Sequence, residues 1–113
     1  MTTSHKPDNR RMLEMAAKAI GKQRQLWDYE YCRSLRQMVT PQMLWNPFDR
    51  YGDAMEIALN LSFTIELSSG EFNYAEVRNH GGKVLGYSDN RECVNYACLA
   101  ITRAAAAIGE AMP

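Results

Sequence analysis

Three groups of residues carry the side chains with which this 113-residue chain could do chemistry. The first is Trp45-Asn46-Pro47, with Arg50 and Gly52-Asp53-Ala54 just behind it. An indole platform, an amide and a cation ahead of a helix, whose first N–H groups are free, make a recognition surface that suits an anion. The same residues also make a helix entry with Trp45 as a core anchor, and Asp49 and Asp53 would repel an anion there. The structural reading is the stronger, because it gives every residue a role. The second group is Arg78 with His80-Gly81-Gly82-Lys83, a Gly-Gly turn with basic flanks that could cradle a phosphate. It lacks the spacing of a P-loop or a dinucleotide fingerprint, and an ordinary hairpin turn with basic flanks is the favoured reading. The third is Trp27, Tyr29 and Tyr31 beside Arg24, Arg33 and Arg36, a pattern used to stack bases. In so small a domain, packing of these aromatics against a helix is favoured.

Cys32, Cys93, Cys98, His5 and His80 show neither C-x-x-C nor H-x-x-x-H spacing, so no metal site is expected. A Cys–His nucleophile pair from Cys32 or Cys93 with His80 has no local signature. The sequence therefore assigns no catalytic residue and no cofactor. The binding candidates are Trp27, Trp45, Asn46, Arg50, Arg78, His80 and Lys83.

Thirteen basic and thirteen acidic side chains cancel, but unevenly. Residues 1–40 hold eight Lys/Arg against four Asp/Glu, and residues 41–113 hold five against nine. A mildly basic N-terminal third fits a solvated surface, or a face for nucleic acid. No apolar run reaches the ~20 residues of a membrane span, and no signal-peptide pattern opens the chain. With an odd cysteine count, this points to a reducing cytoplasm. The length fits one domain over residues 1–113, with residues 1–6 disordered.

The elements that must position these groups follow from periodicity. Leu13, Ala16, Ala17 and Ile20 form the stripe of a helix that starts at Pro7-Asp8-Asn9 and stops at Gly21. Alternation in Gln25–Cys32 predicts a strand with an aromatic face, and Arg33–Met43 a strand-like return ended by Pro41. A central helix runs to Leu61, starting at Asn46 or at Gly52-Asp53, with Ala54, Ile57, Ala58 and Leu61 as its apolar face. Residues 63–67, 72–78 and 83–87 predict an antiparallel meander. Asp89 and Glu92 form a capping box before a last helix whose stripe runs from Val94 through Cys98 and Ile101 to Ile108. Met12, Met15, Met38, Met43 and Met55 read as core filling, with Met38 and Met43 the candidates for an exposed patch. The expected fold is a single α/β (α+β) domain, with a mainly antiparallel sheet of four or five strands between three helices.

The Trp45-Asn46-Pro47 … Gly52-Asp53-Ala54 box and the helix behind it resemble the phage ABA sandwich domain family. The run Ala100–Gly109 is similar to the family's closing helix, and Leu13–Gly21 with the following aromatic segment to its opening. The resemblance implies an α/β/α sandwich encoded by tailed phages or prophages. It implies no activity and carries over no site residue. The expectation is a small non-enzymatic accessory protein of the host bacterial cytoplasm, acting in counter-defence or host takeover by sequestering a host protein or a small nucleotide signal. A nucleic-acid-binding accessory protein is the alternative, and a small nucleotide-processing enzyme is less favoured. No membrane partner is expected. A homodimer would use the Ala-rich last helix and the spare methionines.

Overall fold

A computed structural model describes residues 7–113, with side chains from residue 9 onward. The expectation of disorder at residues 1–6 lies outside the described residues. The elements in chain order are α1 (Pro7–Ala19), α2 (Tyr29–Ser34), α3 (Tyr51–Leu61), β1 (Thr64–Ser69), β2 (Asn73–Arg78), β3 (Val84–Asp89) and α4 (Tyr96–Ala111). Short 3-10 turns lie at Arg24–Leu26 and Pro41–Met43. This is an α+β fold with a three-stranded antiparallel sheet in the order β1-β2-β3.

Helix α1 ends as its sequence dictates. Gly21 takes φ +71°, and the N–H of Lys22 reaches back to the Ala17 carbonyl at 2.8 Å. That geometry is open to glycine at little cost. In the sheet, Ile65 lies opposite Val77 and Val77 opposite Gly86, while Leu67 lies opposite Ala75 and Ala75 opposite Ser88. Ala75, Val77 and Gly86 are buried on the inner face.

Small residues let α4 sit close to its neighbours. A Cβ on Gly86 would run into the Ala100 carbonyl oxygen, so β3 lies directly against α4. A Cβ on Gly109 would run into the Met15 carbonyl oxygen, so α1 crosses α4 at equally short range. Helix α3 brings Ala54, Ile57 and Ala58 to the core, joined by Leu13, Trp27, Trp45, Val77 and Ile101.

Several expectations are corrected. Among the described residues the sheet has three strands, and there are four helices. Helix α4 packs on β2 and β3, and α1 and α3 pack on α4. On the opposite sheet face Thr64, Glu66 and Tyr87 are exposed. The expected sheet between helices is thus a sheet with its main helix packing on the α4 side.

The expected strand at Gln25–Cys32 is a 3-10 turn followed by α2. Asp28 overrides the alternation, because its side chain accepts from the Tyr31 N–H and caps the helix. The expected return at Arg33–Met43 is the end of α2, an irregular run and the Pro41–Met43 turn, with Arg36 in the left-handed region at φ +57°.

Helix α3 starts at Tyr51 rather than at either expected cap. Asn46 instead heads a turn, accepting from the Phe48 N–H, while Asp53 in the first helical turn accepts from the Asn46 N–H. Helix α4 starts at Tyr96, not at Asp89. Asp89 caps the turn before it, through the N–H of Arg91, and Glu92 pairs with Arg103 and Ser88. Val94, expected on the apolar stripe, is 87% exposed. Met15 fills the core, but Met38, Met43 and Met55 are exposed. The Ala-rich helix expected to face a second copy is in the core, with Ala100, Ala104, Ala105 and Ala106 buried. No helix among the described residues is long and apolar enough to cross a membrane.

Candidate cleft at Trp45

A buried tryptophan needs an acceptor for its indole N–H. Trp45 is 7% exposed, and its Nε1 donates to Glu56 Oε1 at 3.0 Å. The other carboxylate oxygen accepts from Lys22 Nζ at 2.6 Å, and that ammonium sits 5.6 Å from the Trp45 ring centroid. The backbone N–H of Trp45 donates to the Leu26 carbonyl at 2.9 Å, tying the segment before α2 to the segment before α3. Trp45 thus joins the segment after α1, the Arg24–Leu26 turn and the first half of α3.

Arg50 completes the arrangement. Its guanidinium donates to the Leu44 carbonyl at 2.7 Å and to the Gln42 carbonyl, and lies 3.8 Å from Asp53. These groups surround an open cleft of about 210 Å³. Leu26, Met43, Leu44 and Trp45 supply its apolar lining, and Lys22, Arg50, Asp53 and Glu56 its charges. Two cations face two carboxylates, and each is engaged inside the protein. Met43, 64% exposed, and Leu26 form an apolar lip.

The structure brings together Trp45 and Arg50, with Asn46 tied to the same wall through Asp53. Trp27 lies on the adjoining flank. Arg10 stands over its ring at 5.9 Å, Arg24 over Tyr31 at 4.6 Å, and Arg33 over Tyr29 at 5.9 Å. Asp28 organises this flank from a fully buried position. It accepts from Arg10 at 2.7 Å and from Arg24 at 2.9 Å. Burial pushes its carboxyl upward, but hydrogen bonds from Arg24, the Tyr31 N–H and Arg10 outweigh that and hold it below the usual range.

Arg78, His80 and Lys83 stand apart from this cleft. Thr64 pairs with Arg78 two residues after the Ser62 cap of α3, which places the hairpin turn by the C-terminal end of that helix. The cleft lies at its first two turns. Arg78 is turned onto its own hairpin, donating to the Gly82 carbonyl at 3.0 Å and pairing with Glu76. The Lys83 N–H is held by the Asn79 side chain at 2.9 Å. These bonds tie the turn together and engage Arg78 within its own hairpin.

Cys32 and Cys98 are buried and set for packing. Cys32 Sγ donates to the Gln25 carbonyl at 3.0 Å, and burial pushes the Cys98 thiol up to about 11. A thiol with so little thiolate at neutral pH is a poor nucleophile. Among the described residues, no three His, Cys, Asp or Glu side chains gather where a metal ion could be held.

Lys22, Leu26 and Glu56 escape sequence reasoning. Lys22 and Glu56 lie 34 residues apart with no local spacing to connect them. The one available signal is the need of a buried indole for an acceptor, which Glu56 meets eleven residues later. Comparison of the chain with protein-family models, with characterised proteins and with solved structures returns no match.

Proposed function

We propose that this is a small non-enzymatic phage or prophage accessory protein of the host cytoplasm that acts by sequestering a host protein. The Trp45 cleft and its lip form the docking surface. The observation that carries this reading is the composition of the cleft: balanced, internally engaged charges beneath an exposed apolar rim of Leu26 and Met43. An anionic nucleotide would meet Asp53 and Glu56 and would have to draw Lys22 and Arg50 from their partners, at a desolvation cost. A protein segment that places an apolar side chain on the rim avoids that cost. Methionine is enriched at protein interfaces, and concave sites are where partners seat a side chain. The phage setting draws on the resemblance of the Trp45–Ala54 box and the Ala-rich closing helix.

The test is affinity capture from the natural host, comparing wild type with Met43→Glu and Leu26→Glu. A host protein enriched by wild type and lost with both variants supports the reading. A retained nucleotide in native mass spectrometry, with no such protein, would move the function to the nucleotide signal.

The nucleic-acid reading keeps one observation in its favour, the row of arginines over Trp27, Tyr29 and Tyr31. It requires binding that falls steeply with salt. A gel shift with single-stranded and duplex DNA at low ionic strength decides it, and no shift removes it.

A further inference from the structure

The two edges of the three-stranded sheet are finished differently. On β3, Arg103 of α4 donates to the Tyr87 carbonyl at 2.9 Å, and a register shift between Val77 and Arg78 distorts the pairing near Val84. Both devices discourage a further strand from adding there. On β1, Thr64–Ser69 runs in unbroken register with β2. It carries no proline and no lysine. Among the described residues, none places a side-chain hydrogen bond on its backbone. Leu67, on the inner face, is 64% exposed.

From this contrast we propose that β1 is the homodimer interface, pairing antiparallel with β1 of a second copy to make a continuous six-stranded sheet. Side-chain parity limits the registers. Pairing must keep Ile65 and Leu67 of both copies on the inner face, so a two-fold axis passes through a residue rather than between two. An axis at Glu66 would oppose two carboxylates, which is unfavourable. An axis at Ile65 pairs only Thr64, Ile65 and Glu66 within the strand. An axis at Leu67 pairs five residues: Leu67 meets its own copy, Glu66 meets Ser68 of the second copy, and Ile65 meets Ser69. That register buries the exposed leucine and opposes no like charges. The chain's formal net charge of zero removes long-range repulsion between copies. The match of β1 to itself selects a second copy over an unrelated extended peptide.

The register makes a distance prediction. On the axis the Cα atoms of the two residues 67 would lie about 4.5–5.5 Å apart, within the range of a disulfide. The two residues 69 would lie about 14 Å apart. In a Cys93→Ser background, Leu67→Cys is expected to form an interchain disulfide under mild oxidation and Ser69→Cys to remain uncrosslinked. Light scattering across a concentration series should show wild type moving towards twice its 12.9 kDa mass, and Leu67→Lys remaining a monomer with an unchanged circular dichroism spectrum. A wild-type monomer at every concentration would overturn the proposal. So would a Leu67→Lys dimer, or crosslinking of Ser69→Cys in preference to Leu67→Cys.

Discussion

The surroundings of α4 and the Trp45 cleft are built on opposite plans. Around α4 the decisive residues are those with almost no side chain: Gly86, Gly109 and the buried alanines, which bring backbones together. Around Trp45 the decisive residues are long and polar: Lys22, Arg50 and Glu56, which bridge neighbouring segments through their side chains. The first plan leaves no room for change, because close-packed backbones cannot step aside. The second leaves an open cleft with an exposed rim. Close packing is concentrated at one region, and the proposed docking surface lies at the other.

The largest effect expected from breaking this contrast lies at the glycines. Gly109→Ala and Gly86→Ala should each cost at least the ~3 kcal/mol at the top of ordinary overpacking, since backbone rather than a flexible side chain is struck. Urea denaturation would read this as a large drop in midpoint or as failure to fold. An alanine variant close to wild-type stability would show that α4 is less tightly seated.

Next comes Asp28, the polar keystone of the cleft's flank. Asp28→Asn should cost about 2 kcal/mol, because Arg10 and Arg24 lose their shared carboxylate, while the amide oxygen can still cap the Tyr31 N–H and both guanidiniums can still reach water. The pH dependence follows from the same group. Its folded-state pKa is depressed, so its contribution is fully present above the ordinary carboxylate value near pH 4 and is lost as pH falls through and below it. Denaturation midpoints measured from neutral pH downward should fall in acid for wild type, and less steeply for Asp28→Asn.

A smaller effect is expected at the indole. Trp45→Phe keeps one aromatic ring but removes the donor to Glu56 and the indole's second ring, which should cost about 1.5 kcal/mol by chemical denaturation. The smallest is at the rim. Met43→Glu should change stability by less than about 0.5 kcal/mol, as exposed positions ordinarily do.

Legibility in the sequence follows the same division. The helix stripes at Leu13–Ile20 and Ala54–Leu61 and the meander over residues 63–87 could be read, because a single period dominates each of them. The Trp27–Tyr31 alternation misled, because one capping carboxylate with two arginine partners outweighs a three-residue pattern. The starts of α3 and α4 were misplaced because Asn46 and Asp89 satisfy turns ahead of the helices rather than their first N–H groups. At the site, Trp45, Asn46 and Arg50 were visible as neighbours in the chain. Lys22 and Glu56 were not, because their meeting is made by the fold and not by spacing. At the basic turn Arg78–Lys83, cation spacing alone does not reveal that the Glu76 carboxylate and the Gly82 carbonyl engage Arg78.

The measurement that tests the central claim most directly is quantitative affinity capture from the natural host, with wild type, Met43→Glu, Leu26→Glu and Leu67→Lys run side by side. A host protein lost with both rim variants and kept by Leu67→Lys is the predicted result. It would place recognition at the Trp45 cleft and separate it from the β1 edge. A partner retained equally by both rim variants would contradict the assignment of function to the cleft.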